Sequence, residues 1–271
     1  QTDPLKPAVT ERVREIVIRR LKREINARTT PPRFCDRRPP SPCLLTMKPA
    51  EVALCEAFSS FRTEVKRLVG QEGGRRRRSG SFAVEILGKR LLSSPTAFAE
   101  SWRRCKQGLA QSEAADESDV ASAEKALRRE TADDRESQAR EASAAGVVGA
   151  WLKTVASGLA NEISAIDRAV AQLGFDLRAE PGAREVVEQD PAADARLEVF
   201  LGLVESLLRS KGKWRDDERL VVFTEYKTTL DYLVRRLRAR YEPDRLLTLF
   251  GGMDEGERKL VKDAFNDPSE Q

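Results

Sequence analysis

The 271-residue chain contains no histidine. That single absence excludes imidazole acid–base catalysis, Ser-His and Cys-His nucleophiles, and most zinc sites. Its four cysteines (Cys35, Cys43, Cys55 and Cys105) are irregularly spaced, with no CxxC pair among them, so they read as unpaired thiols. Aromatic residues are scarce, at 6%. No uninterrupted apolar run reaches the length of a membrane span, and no charged-then-apolar leader opens the chain. The expectation is a cytoplasmic protein without a membrane partner. Also missing are a GxxxxGK[ST] phosphate loop and a DExH-like acidic strand end, so no ATP-phosphate cradle is recognisable in these residues, and no metal site is expected.

What is present is charge, 34% of all residues, with a net balance of only +4. The distribution carries more than the sum. The first ninety residues are dense in arginine and lysine, whereas 112–145 and 176–194 hold most of the acidic runs. A basic half can face phosphates or be a solvated helix surface. Residues 8–26 have a helical apolar stripe, and the prolines from Pro31 to Pro42 then favour extended chain, with Cys43–Thr46 a candidate short strand. Pro49 suits the first turn of a helix whose Leu54, Phe58, Phe61, Val65 and Leu68 recur on one face. Gly73–Ser81 reads as a glycine-flanked basic loop, and its Arg75, Arg76, Arg77 and Arg78 are candidate phosphate contacts or simply an exposed insertion. Two further helices are expected over Phe82–Cys105, with Pro95 opening the second and Phe98 and Trp102 in the core.

Residues 106–146 have almost no large apolar side chains and are expected to be a charged linker, disordered or a lone solvated helix. From Val148 to Leu173 large apolar residues step by four or three, as in a coiled-coil arm or a bundle helix, ending at Gly174. Another amphipathic helix is expected over Asp194–Lys211.

The end of the chain reads as two βα units. Leu220–Thr224 is a short apolar run leading into a helix with Leu230, Leu233, Val234 and Leu237 on one face. Leu246–Phe250 leads through Gly251 and Gly252 into a second helix that Asp254 and Glu257 suit as a capping box. Strands alternating with helices imply a parallel sheet, and two parallel strands cannot stand alone. Thr224, Lys227, Thr228 and Thr229 cluster where a strand end meets a helix N-terminus. That is a natural anion site, or else a place where one threonine caps the helix.

Read in order, three segments resemble the Swi/Snf-type branch of superfamily-two helicases and translocases, most nearly its bacterial helicase-related proteins. Ile18–Lys22 is similar to the LRRxK element near the end of the first RecA-like lobe, and Cys43–Phe61 to the strand and helix that follow it. Leu220–Tyr226 with Thr229-Leu230 resembles motif IV, which opens the second lobe. Leu249–Met253 with Glu257, Arg258 and Phe265 resembles that lobe's next unit. The resemblance implies an α/β, mostly helical fold class with a truncated RecA-like parallel sheet at the C-terminus. Residues 1–105 would be the tail of the first lobe plus a helical extension, 106–146 a linker, 147–192 a helical arm and 193–271 the start of the second lobe. It further implies an ATP-driven motor on double-stranded DNA in which Thr224, Tyr226, Lys227 and Thr228 lie along the nucleic-acid backbone, Arg19, Arg20 and Lys22 sit near the lobe interface, and Gly251 and Gly252 form a loop. ATP and magnesium belong to the complete motor, with the Walker and arginine-finger motifs expected outside these residues. The competing expectation is a non-catalytic helical module that binds DNA or a partner.

Overall fold

The architecture comes from a computed structural model that describes residues 21–34, 41–70, 72–178, 186–215 and 218–266. The chain divides into two compact units, 1–44 and 45–271. In the first, the short helix α1 (Lys22–Asn26) is tied to the following turn by Asn26, whose amide group exchanges hydrogen bonds with the Phe34 backbone at 2.6 and 2.8 Å. Lys22 places its ammonium 5.4 Å from the Phe34 ring centre. Arg19 and Arg20 lie outside the described residues, as does most of the expected 8–26 helix. No strand forms at Cys43–Thr46, where Leu44 is 91% exposed.

The second unit is built on a helical bundle. Its first helix is α2 (Pro49–Gly70), and α3 (Gly74–Ser93) follows after a three-residue connection. Then come α4 (Pro95–Leu109), α5 (Glu117–Leu127) and α6 (Asp134–Leu152). A 3₁₀ segment (Lys153–Leu159) leads into α7 (Ala160–Gln172). Of the expected stripe on α2, Leu54, Phe58, Phe61 and Val65 enter the core, while Leu68 is only half-buried and Val69 takes the last core position. Phe58 meets Phe98, and Phe61 meets Trp102, edge to face, each with ring centres 5.7 Å apart. Trp102 is fully buried and donates its indole N–H to Asp167 at 2.8 Å, which satisfies the one polar atom a buried tryptophan carries. Ser94 caps α4 by accepting from the Ala97 amide at 3.1 Å, with Pro95 in the first helical position.

The bundle overturns one expectation and decides another between its two alternatives. Residues 106–146 are neither disordered nor a lone helix, because α5 and α6 pack into the core through Val120, Ala144, Ala145 and Val148. The physical reason is small-residue packing. A Cβ added at Gly149 would lie 1.9 Å from the Cys105 carbonyl oxygen, and one at Gly108 would lie 2.0 Å from that of Gly146, so α4 and α6 touch backbone to backbone. The 147–174 stretch takes the bundle-helix alternative and does not project as an arm. Val148, Leu152, Val155, Leu159, Ile166, Val170 and Leu173 are all core residues, and Gly174, with φ +87°, turns the chain at the end of α7.

Beyond the bundle, α8 (Ala195–Leu208) is anchored at its N-terminus. Buried Glu51 accepts from the Ala195 amide at 3.1 Å and from its own helix start at Lys48, 2.9 Å, while Arg196 donates to the Leu91 and Leu92 carbonyls at the end of α3. A two-residue hairpin follows, β1 (Arg209–Ser210) against antiparallel β2 (Lys213–Trp214), turned by Lys211 and Gly212, both with positive φ. Then come α9 (Lys227–Arg238) and α10 (Glu255–Asn266), the latter capped by Asp254, which accepts from the Gly256 amide at 2.8 Å.

The parallel RecA-like sheet is not formed. Among the described residues the hairpin is the sole sheet, and Leu220–Thr224 and Leu246–Phe250 carry no strand pairing. A parallel ladder needs both faces covered, yet Val221, Val222, Phe223, Leu247 and Leu249 are all exposed. The second unit is therefore mostly helical.

Candidate nucleic-acid interface

The segment entering α9 collects the residues that the resemblance assigned to the nucleic-acid backbone, and the fold gives Tyr226, Lys227 and Thr228 protein partners. Tyr226 is the N-cap residue of α9 but offers no side-chain cap; no threonine caps this helix. Its ring lies under the guanidinium of Arg90, 3.7 Å from the ring centre, and that guanidinium is held from α6 by Glu141 at 2.5 Å. Arg90 is almost completely buried. Burial pushes the Glu141 carboxyl above its ordinary range, and the Arg90 charge beside it pulls the other way. Burial also raises the Tyr226 phenol, again opposed by Arg90.

The threonines are spent in the same manner. Thr228 accepts from the Gln138 side-chain amide of α6 at 3.1 Å. The Thr229 hydroxyl lies 2.6 Å from that of Ser93 and 3.0 Å from that of Ser94, at the junction of α3 and α4. One turn on, buried Tyr232 donates its hydroxyl to Asp194 at 2.9 Å, and that same aspartate caps α8 through the Leu197 amide at 3.0 Å. The face of α9 buried deepest is thus Thr228, Thr229 and Tyr232; the apolar stripe Leu230, Leu233, Val234 and Leu237 is only half-buried. This α9 N-terminus does not fit a nucleotide phosphate, because its hydroxyls already serve as bolts to the bundle.

Two candidates stay closer to solvent. Thr224 lines a cleft of about 430 Å³ between α8, α9 and the end of α3, with Lys89, Arg196 and Glu225 also on its wall. Lys227 pairs with Asp231 one turn along the helix and sits 4.6 Å from the Phe250 ring centre. Gly251 and Gly252 do approach something closely, but it is the start of α6. Gly251 donates to Asp134 at 2.6 Å and its carbonyl accepts from the Asp134 amide at 3.2 Å; a Cβ there would lie 2.3 Å from the Ala132 oxygen. Gly252 adopts φ +85° against Asp133.

Arg75–Arg78 are not a loop. They open α3, with Gly73 as a cap that offers no side chain. Arg76 faces the bundle, paired with Glu72 at 2.7 Å and donating toward Thr154 at 3.4 Å. Arg75, Arg77 and Arg78 are exposed and radiate away from the core.

Arg90, Glu141, Gln138 and Ser93, which hold the candidate loop from behind, escaped the sequence reading. A buried basic residue on an amphipathic face was the one local signal, since the partners lie far apart in the chain. Among the described residues no group of three or more His, Cys, Asp or Glu side chains can hold a metal ion, and no helix is long and apolar enough to cross a membrane. No protein-family model, curated protein or solved structure matches this chain.

Proposed function

We propose that this chain is the lobe-joining part of an ATP-dependent DNA helicase or translocase of the Swi/Snf type, supplying backbone contacts to double-stranded DNA and coupling between lobes rather than hydrolysing ATP by itself. The observation that carries this reading is the convergence of two extended apolar segments. Leu220–Phe223 and Leu246–Leu249 line one cleft of about 450 Å³ together with Val261 and Phe265 of α10, and each segment feeds an amphipathic helix. That is an order of extended segment, helix, extended segment, helix, the order in which the resembled second lobe opens, although no ladder joins the two segments here. The bolting of α9 to α3, α4 and α6 supports the coupling role, because a shift of the bundle moves the Thr224–Thr228 segment with it. Lys227 is held by Asp231 and lies beside the Phe250 ring; its own side chain is mostly buried, and the half-exposed Asp231 is the side from which a phosphate would compete for it.

The test is fluorescence anisotropy with a labelled 20-bp duplex across a salt series, together with ATP turnover in the presence and absence of that duplex. Binding is expected, with Lys227→Ala lowering the slope of log K against log[salt] by about 1. No DNA-stimulated turnover is expected. A chain that fails to bind duplex at low salt removes the reading, and stimulated hydrolysis removes its non-catalytic half.

The second reading, a DNA-binding helical module without motor function, is favoured by one observation. The bundle closes its own core, and the exposed arginines of α3 belong to it rather than to the 218–266 segment.

A further inference from the structure

We infer that the tip of the α2–α3 hairpin is a second duplex-phosphate contact, placed so that it and the Thr224–Lys227 segment engage the same DNA about one helical turn apart. The inference rests on double-stranded nucleic acid being the partner, as proposed above.

The charge is concentrated and largely uncompensated. Between Arg62 and Arg78 the sequence holds seven basic side chains against two acidic ones, Glu64 and Glu72. Both acids are committed, Glu64 to Arg67 at 2.6 Å and Glu72 to Arg76 at 2.7 Å. Arg75, Arg77, Arg78, Arg62 and Lys66 are exposed and have no ion pair among the described residues.

The placement runs against helix stability. Four consecutive arginines open a 20-residue helix, three of them in its first turn, at the end where the macrodipole is positive, with no acidic residue in that turn and no capping side chain. Cations at that end are repelled, whereas an anion is attracted both by the dipole and by free backbone N–H groups. A phosphate backbone laid against the tip relieves both. Arginine is also the side chain whose planar fork matches a phosphate in two hydrogen bonds.

The residues argue against an anionic membrane as the occupant. A helix that rests on lipid places large apolar side chains beside its cations. Here no exposed large hydrophobic residue lies between Val52 and Leu92, so the tip has charge without an apolar anchor.

Geometry supplies the spacing. The arginines stand at the start of α3 and Ser93, bonded to Thr229, is its last residue. A helix of that length spans roughly 30 Å at 1.5 Å per residue. One turn of B-DNA advances about 34 Å, so a duplex running along α3 presents the same face to both ends.

The experiment uses the full chain, labelled duplexes of 20 and 8 bp, and vesicles of phosphatidylserine and phosphatidylcholine. Replacing Arg75, Arg77 and Arg78 together by alanine, with Arg76 kept for its internal role, is expected to weaken 20-bp binding at least tenfold near 0.1 M salt and to lower the salt slope by about 2 to 3. The triple arginine-to-lysine variant is expected to keep most of the binding. Wild type should prefer 20 bp over 8 bp by more than the number of available sites, and the triple alanine variant should lose that excess. Arg78→Glu, which points away from the core and adds an acid at the helix start, is expected to weaken binding while its thermal midpoint stays level or rises, so lost folding cannot mimic the result. Unchanged affinity and slope in both variants overturn the inference, as does an arginine-dependent association found with vesicles and not with duplex. If Lys227→Ala weakens binding and the arginine variants do not, this inference falls alone. If the reverse is seen, the tip stands and the Thr224–Lys227 contact falls; if wild type binds no duplex, both fall.

Discussion

Arg90 shows how one buried charge organises the region around it. Its guanidinium is 5% exposed, pairs with Glu141 across the α3–α6 boundary and stacks on Tyr226, so a single residue ties two bundle helices to the start of α9. Such a pair brings specificity more readily than net stability, because both ions lose their water. The two ways of removing it therefore differ sharply. Glu141→Ala leaves an uncompensated buried arginine and is expected to cost about 3–5 kcal/mol. Arg90→Met combined with Glu141→Leu removes both charges, keeps the volume, and is expected to land within about 1 kcal/mol of wild type or above it. Urea denaturation of the single and double variants measures this directly. A Glu141→Ala loss below about 1 kcal/mol would show that water reaches Arg90 and that the pair is no anchor.

At the scale of elements, the α4–α6 crossing matters most, and it depends on having no side chain at two positions. With the Gly149 Cα facing the Cys105 carbonyl, an added methyl group meets backbone rather than a side chain that can rotate away. Gly149→Ala is expected to destabilise the chain by about 3 kcal/mol or more, well beyond the usual surface glycine replacement, which in a helix normally gains up to about 1 kcal/mol. Gly146→Ala is the control, since a Cβ there meets nothing within 4 Å and the helix propensity gain should appear. Thermal melts of the two variants should move in opposite directions. If Gly149→Ala is neutral, the helices are further apart than described. This crossing also explains what the sequence could and could not disclose. Leu54, Phe58, Phe61 and Val65, or Val148 through Leu173, announce their burial because large apolar residues recur at helical spacing. Ala144 and Ala145 bury as completely, but alanine gives no such contrast, and so the part of α6 up to residue 146 read as charged linker, disordered or a lone solvated helix. The candidate site was legible to the same partial degree. The hydroxyls at Thr228 and Thr229 stand out locally, whereas Gln138, Ser93 and Ser94, which receive them, are placed by tertiary packing that no local pattern encodes.

For the molecule as a whole, the 45–271 unit combines a closed helical core with a 218–266 segment whose apolar stretches lack a ladder. Phe223 is 91% exposed, and Val221, Val222, Leu247 and Leu249 sit beside solvent at roughly half exposure. Unpaired extended segments of this composition are templates for strand pairing. Two consequences can be measured together. Among the described residues the amides of 220–224 and 247–249 have no intramolecular acceptor and are expected to exchange within seconds, while those of α4 and α6 open only with global unfolding. Phe223→Ser removes an apolar group that buries almost nothing, so stability should stay within about 0.5 kcal/mol of wild type while concentration-dependent self-association, followed by light scattering, falls. Slow exchange at Val221–Phe223 in dilute monomer would mean that a ladder forms in solution after all. A loss of more than about 1 kcal/mol in Phe223→Ser would place that ring in a core. Fast exchange with reduced association leaves the two segments as unpaired extended chain, and it locates the thermodynamic weak point at 218–266 rather than in the bundle that holds it.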